Sequence, residues 1–341
     1  MSPDRARAAI LAVDGGNSKT DIAIVAAYGQ LLAALRGPTT SHQQVGLEVG
    51  ADRLAALVGV ARSRAGLAAD GSPPDIGVYA LAGADTPTDV RRLTESLAVR
   101  GLAARGLVIN DAFAPIRAGS SRRWGIALIC GSGMNAAGIA PNGRTARLAA
   151  LGGISGDWGG GGDVGLAALG AAVRARDGRG PRTALESSVP RHFGFSRPID
   201  LTRAIESESV PQSRLRELSP VVFRASGQGD AVARAIIDRL ADELAAMAGA
   251  IIRRLNLIRR DPDVVLAGGV FKARDEDFET RIAAGVHAVA PMARVCRWEA
   301  PPVLGAALLG LDRLEGSRAG GRESAETRLR AALQGWEPVG P

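Results

Sequence analysis

Residues 8–20 read AAILAVDGGNSKT, and the architecture of the chain is built outward from them. AAILAVD is apolar up to Val13 and predicts a buried strand ending in a carboxylate, Asp14. Gly15-Gly16-Asn17-Ser18-Lys19-Thr20 predicts a tight turn, because glycine and asparagine tolerate backbone angles closed to bulkier residues. DIAIVAA (21–27) is the returning strand, YGQ (28–30) a second turn and LLAALR (31–36) a third strand. A dinucleotide-binding domain starts instead with a strand running into a helix, so that class is excluded.

The apolar spacing of Val45, Leu47, Val49, Leu54, Leu57 and Val58 predicts a helix over roughly 46–68. IGVYALAG (76–83) is a strand, TDVRRLTESLAVRG (88–101) a helix, and LVIND (107–111) a strand ending in Asp111 before a short helix over about 112–118. The opening pattern then returns. WGIALICGSG (124–133) is a strand entering a glycine turn, NAAGIA (135–140) its return, and PNGR (141–144) a hairpin turn. Strand, glycine turn, strand, turn therefore occurs twice, which points to a duplicated structural unit.

The run LGGISGDWGGGGDVG (151–165) holds eight glycines and precedes a helix predicted over 165–176. It is either a flexible linker or backbone packed close to a ligand, and Asp157 and Trp158 inside it favour the ligand. A long helix follows Asp230 to about 257, PDVVLAGGV (262–270) is a strand ending in a glycine pair, and PPVLGAALLGLDRL (301–314) is a helix with proline in its first turn. The predicted domains are 1–117 and 118–300, with helix 301–314 returning to the first and a peripheral tail over 315–341 that carries an amphipathic stretch near 322–334.

At 341 residues with 46% hydrophobic content, the chain can bury two cores. Of 42 basic residues only Lys19 and Lys272 are lysines, and the net charge of +7 is scattered. Nucleic-acid readers concentrate basic residues in a stripe, so no nucleic-acid partner is expected. Two cysteines, Cys130 and Cys296, exclude a disulfide framework and a four-cysteine metal site. No apolar stretch reaches membrane-spanning length and no signal peptide is visible, so the expectation is a cytoplasmic protein without membrane contact.

Three glycine turns follow three strands: Gly15–Thr20, Gly131-Ser132-Gly133-Met134-Asn135, and Gly268-Gly269. Turns without side chains let backbone N–H groups point at phosphate oxygens. Two such hairpins can grip a triphosphate, with the late glycine pair against the adenosine. Asp14 suits Mg2+, which prefers oxygen ligands and keeps waters, or it caps its own hairpin. Lys19 neutralises phosphate or is an exposed hairpin lysine. Asp111 is placed to orient a hydroxyl and accept its proton, or to cap the short helix after it. Asp157 and Asp163 can bond sugar hydroxyls, with helix capping an equal role for Asp163. His42, one of three histidines, has no partner at metal-ligand spacing, leaving a substrate contact or loop structure.

With these motifs in hand, the chain resembles the N-acetylglucosamine kinases and BadF/BadG/BcrA/BcrD-type ATPases of the actin–Hsp70–hexokinase superfamily, over about residues 9–313. VDGGNSKT (13–20) resembles the first phosphate motif, VIND (108–111) the catalytic-aspartate segment, ICGSGMNAAG (129–138) the second phosphate motif, VVLAGGV (264–270) the adenosine motif and PPVLGAALLGL (301–311) the closing helix. GPTTSHQQVG (37–46) and LAGAD (81–85) are similar to its sugar-site loops. Two positions depart: Ser41 stands where the sugar kinases have Asn, and Trp158 where they have Glu.

The resemblance implies an α/β fold of two ribonuclease-H-like (actin-like ATPase) domains with an interdomain cleft. It implies ATP and Mg2+ as cofactors and phosphorylation of a sugar hydroxyl, with an amino sugar such as N-acetylglucosamine or glucosamine as substrate. It implies Asp111 as the catalytic residue, Asp14 toward the metal, and nucleotide contacts at Gly15, Gly16, Asn17, Ser18, Lys19, Thr20, Gly131, Ser132, Gly133, Gly268 and Gly269. Sugar contacts are expected at Thr40, Ser41, His42, Asp111, Met134, Asn135 and Asp157. A homodimer is compatible with it. The alternatives are an activator-type ATPase coupled to a partner enzyme, which needs cluster-binding cysteines this chain lacks, and a non-catalytic sugar sensor, against which Asp14 and Asp111 argue.

Overall fold

A computed structural model describes residues 7–68, 71–298, 300–314, 322–336 and 340. Residues 1–6 of the polar N-terminus, and 315–321, 337–339 and 341 of the expected tail, lie outside the described residues. The chain divides into two compact units, Met1–Arg123 with Trp298–Pro341, and Trp124–Arg297.

The first unit is built on a five-stranded sheet of β1 (Ala8–Gly15), β2 (Lys19–Ala26), β3 (Leu31–Pro38), β4 (Ile76–Leu81) and β5 (Gly106–Asn110), in the order β3-β2-β1-β4-β5. β1 pairs antiparallel with β2 and parallel with β4. All eight residues of β1 are buried, as a central strand covered on both faces requires. The period-2 alternation sorts its side chains. Ile10 and Ala12 pack with the helices Ala114–Gly119 and Val303–Leu314, while Leu11 and Val13 pack with the helices Leu47–Arg64 and Pro87–Val99. The stretch near 322–334, read from the sequence as peripheral, is a helix (Arg322–Gln334) that places Ala325, Leu329 and Leu333 in the first of these cores.

The second unit repeats the plan with β6 (Gly125–Cys130), β7 (Met134–Ile139), β8 (Thr145–Arg147), β9 (Asp263–Ala267) and β10 (Arg294–Arg297). Its order is β8-β7-β6-β9-β10, antiparallel through the hairpins and parallel across β6, β9 and β10. The duplication read from the glycine turns is thus a duplication of whole sheets.

Several elements differ from the sequence reading. The helix expected over 165–176 begins at Gly160, so three glycines of the rich run lie inside its first turn. Residues 185–227 form the helices Leu185–His192, Pro198–Glu206 and Ser219–Gly227, and Glu276–Val289 forms another before β10. Sequence reasoning assigned none of these. Among the described residues no helix is long and apolar enough to cross a membrane.

Candidate active site

In the first unit the site starts from β1. Its register sets Asp14 directly opposite Asp21 on β2. Like charges facing one another across strands repel, and both side chains are buried, at 8% and 0% exposure. Asp21 is compensated: Arg36 donates Nε to its Oδ1 at 2.6 Å and Nη2 to its Oδ2 at 2.8 Å, and Lys19 also pairs with it. Asp14 is not compensated to the same degree. Burial first, and the neighbouring Asp111 carboxylate second, push its carboxyl up to about 8. Lys19, expected at phosphate or solvent, pairs with Asp21 and keeps about a third of its side chain exposed. The sequence signal for Asp21 is the lone carboxylate that opens the otherwise apolar DIAIVAA.

Asp111 opens the short 3-10 turn Asp111–Phe113 at the end of β5. The capping role left open for it belongs to its neighbour: the Asn110 side chain accepts from Ala112 N–H at 3.0 Å. Asn110 Nδ2 also donates to Asp85 at 2.8 Å, fixing the strand end to the loop 81–85.

The two loops assigned to sugar binding converge. Gln43 Nε2 reaches Asp85 at 3.4 Å, and a Cβ built on Gly83 (φ +82°) would lie 2.5 Å from His42 Cε1, so only glycine fits there. The loop 39–41 is tied to the first glycine turn. Thr39 Oγ1 donates to Gly16 O at 2.8 Å, Ser41 Oγ to Asn17 Oδ1 at 2.6 Å, and the Thr20 and Thr40 hydroxyls share a bond of 2.9 Å. Thr20, Thr40 and Ser41 are buried, whereas Asn17 and Ser18 are exposed at the turn. Ser41 thus acts as a brace on that turn. His42 Nδ1 is buried and meets no hydrogen-bond partner within the protein, so its partner must be water or a ligand.

In the second unit the turn Gly131-Ser132-Gly133 closes on itself through Gly131 N–H to Gly133 O at 2.9 Å. The helix Gly160–Arg176 docks on it: Gly161 N–H donates to Gly131 O at 2.8 Å and Gly162 N–H to Ser132 O at 2.9 Å. A Cβ on Gly160 would fall 2.5 Å from Gly133 Cα, and one on Gly268 2.3 Å from Cys130 O. The run 159–162 is therefore not a linker: its glycines let a helix start touch the second turn backbone to backbone, and Gly159 and Gly162 also line a pocket beside that turn. Asp163 lies in that helix's first turn and accepts from Gly159 N–H at 2.8 Å, so it caps. Asp157, bonded by Ser155, lines a pocket of about 150 Å³ with Ser132, Gly133 and Met134. Asn135 Oδ1 on β7 is buried without a partner. Trp158 lies beneath the Arg239 guanidinium, 3.9 Å from its ring centre.

Gly269 opens a second pocket of about 500 Å³, lined by Gly131, Arg216, Phe223, Val270 and Lys272. Arg216 and Phe223 come from the stretch the sequence left unread. Lys272, one of two lysines, carried only its rarity as a signal. Cys130 is packed beneath the turn and burial pushes its thiol up to about 12. Among the described residues no group of three or more His, Cys, Asp or Glu could hold a metal by itself.

Two sheets of one strand order, each with a glycine hairpin at the end of its first strand, define an actin-like ATPase fold of two α/β domains. The model of the BadF/BadG/BcrA/BcrD ATPase family matches residues 11–310, and the chain belongs to that family. It is 30% identical over 263 residues to the N-acetylmuramic acid/N-acetylglucosamine kinase of Clostridium acetobutylicum, covering 76% of this chain and 85% of the relative. It is 24% identical over 312 residues to the N-acetyl-D-glucosamine kinase of Dictyostelium discoideum, covering 89% and 97%. The structure of a candidate N-acetylglucosamine kinase from Chromobacterium violaceum superposes with a TM-score of 0.68 at 21% identity, covering 89% of this chain and 99% of that one. That likeness speaks for the fold.

Proposed function

We propose that this protein transfers the γ-phosphoryl group of ATP to a hydroxyl of an amino sugar. N-acetylglucosamine is the first candidate, with N-acetylmuramic acid and glucosamine as further acceptors. The observation that carries the reading is the pair Asp14 and Asp111 in the first unit, two carboxylates close enough that one perturbs the other. Phosphoryl transfer needs an oriented nucleophile, a proton acceptor and stabilised charge, and little covalent help.

Asp111 accepts the proton of the attacking hydroxyl, and Asn110 and Asp85 fix the strand end that carries it. His42 offers a ring nitrogen to the sugar, and Asn135 and Asp157 offer further polar groups. The backbone of the turn Gly131–Gly133 binds phosphate oxygens, and the adenosine lies in the Gly269 pocket between Phe223 and Lys272. The Asp14 carboxyl, which burial and the neighbouring Asp111 keep protonated in the bare protein, is an oxygen donor that fits Mg2+, with Asp111 nearby. When bound, Mg2+ would neutralise the phosphate charge. A cytoplasmic setting, where ATP is abundant, accords with this reading, and sedimentation of the purified chain tests the homodimer.

The deciding experiment is a panel of hexoses, amino sugars and N-acetylated amino sugars with ATP and Mg2+, followed by ADP release. N-acetylated sugars should give the highest kcat/KM. ADP release that no sugar accelerates would refute the kinase reading.

A further inference from the structure

Arg117 is a buried cation six positions after Asp111. It lies on the helix Ala114–Gly119, which continues the turn carrying Asp111: Ala114 N–H bonds Asp111 O. Arg117 is only 2% exposed. Its Nε donates to Asp312 Oδ2 at 2.9 Å, its Nη1 to Glu326 Oε1 at 2.9 Å and its Nη2 to Glu326 Oε2 at 2.5 Å. Asp312 belongs to the helix Val303–Leu314 and Glu326 to the helix Arg322–Gln334. Arg330 completes the clasp, donating to Glu326 Oε1 at 2.9 Å, Arg117 O at 3.1 Å and Ser120 O at 2.9 Å.

A buried ion pair is a poor way to gain stability, because well-packed apolar residues of similar volume do as well. What a two-carboxylate clasp does provide is orientation: a planar fork held at both edges cannot rotate or slide as an apolar contact can. The segment 111–119 is pinned at both ends, upstream by Asn110 on Asp85 and downstream by Arg117 on Asp312 and Glu326. Between them Ala112, Ala114, Ile116 and Ala118 are buried, and a Cβ on Gly305 would come within 2.0 Å of Ala114 O. Such a segment moves as one body. The helix bearing Glu326 also lies beyond residues 11–310, the part matched by the family.

We propose that Arg117 is a positioning residue for Asp111, and that the C-terminal helix, through Glu326, belongs to the catalytic apparatus of this chain. The proposal rests on the reading of Asp111 as the base. A displacement of a catalytic group by about 1 Å can cost on the order of 100-fold in rate.

The test is a double-mutant cycle on the full-length protein with its best sugar. Glu326→Gln removes one charge from the clasp and keeps its shape. It should lower kcat about 10- to 100-fold, leave the KM for ATP within about twofold, and cost nothing further when combined with Asp111→Asn, because two changes acting through one group are not additive. Leu329→Ala, which removes core packing from the same helix, controls for stability; at a temperature where both variants are folded it should keep kcat near wild type. Losses that multiply in the double variant, normal kcat in Glu326→Gln, or an equal loss in Leu329→Ala would each overturn the proposal. Near-normal turnover of Asp111→Asn alone would instead remove the base reading, and this proposal with it. If Glu326→Gln does not accumulate as folded protein, Asp312→Asn opens the clasp from the other side in the same cycle.

Discussion

The amide of Asn110 and the carboxylate of Asp85 are joined at 2.8 Å, and the same Asn110 side chain caps the turn at Ala112. Asp111, between these two bonds, is therefore not the cap. Asp111→Asn should lower kcat by about 10²–10⁴-fold, with ATP affinity and melting temperature nearly unchanged. Asn110→Ala should cost about 1 kcal/mol of stability through the lost cap and lower kcat as well, because the strand end is released. Steady-state kinetics and thermal melts of the two variants check this.

Glycines that look alike in the sequence should respond in opposite ways. A Cβ on Gly133 meets nothing within 4 Å, whereas one on Gly160 meets backbone at 2.5 Å. Gly133→Val should fold with a normal melting temperature and lose ATP affinity by at least about tenfold, since its side chain projects where phosphate is proposed. Gly160→Ala should destabilise by about 1–3 kcal/mol, with its positive φ of +74° adding to the cost. Calorimetric titration with ATP and denaturant melts separate the two.

Asp14 is held in a place that suits a cation better than it suits the bare protein. Asp14→Asn should raise the melting temperature of the nucleotide-free protein by about 2 °C or more, because folding no longer has to force a proton onto a carboxyl buried opposite Asp21 and near Asp111. It should also abolish the dependence of turnover on Mg2+ concentration along with most of the activity. A lower melting temperature in this variant would mean that Asp14 is a structural cap.

The clasp has its own pH signature. Burial pushes the Glu326 carboxyl up, but hydrogen bonds and charge from Arg117 and Arg330 outweigh it and hold the group at about 2, below its ordinary 4.5. A depressed folded value means that the stabilisation is fully present above pH 4.5 and is lost as the pH falls toward 2. The stability difference between wild type and Glu326→Gln should therefore be about 2–3 kcal/mol near neutrality and shrink toward zero by pH 2. Urea melts at several pH values measure it, and a difference that stays constant with pH would show that the pair is not ionised.

His42→Ala removes an imidazole whose Nδ1 makes no hydrogen bond in the protein. The melting temperature should hardly move, while the KM for the sugar rises about tenfold or more and the KM for ATP does not, as initial rates at varied sugar and ATP will report.

Much of this was legible in local chemistry. Asp14 and Asp111 could be read because each ends an apolar run and so sits at a strand end. The duplicated sheets could be read because glycine turns punctuate both hairpins. Other features depended on contacts far apart in sequence. Nothing near Gly160 says that it will touch Gly133; a glycine run reads the same whether it packs on backbone or on a ligand. Arg216 and Phe223 lie on short helical segments whose apolar spacing is too brief to define a face. Glu326 sits in a polar, glycine-rich tail that reads as peripheral, and besides the nearby Arg330 its charge is partnered by Arg117, 209 positions earlier.

The order in which these parts leave the ribosome is uneven. The second unit is one continuous stretch, Trp124–Arg297, while the first is interrupted by it. The sheet face presented by Ile10, Ala12, Val78 and Ala80 is covered by the helix Val303–Leu314, the last of the family-matched elements to be made. At usual elongation rates the nascent first unit waits roughly 10–40 s with that face covered only by the short helix Ala114–Gly119. A domain begun first must finish last, so chaperone dependence during synthesis should track the first unit, and a circular permutant starting near Trp298 would shorten the wait.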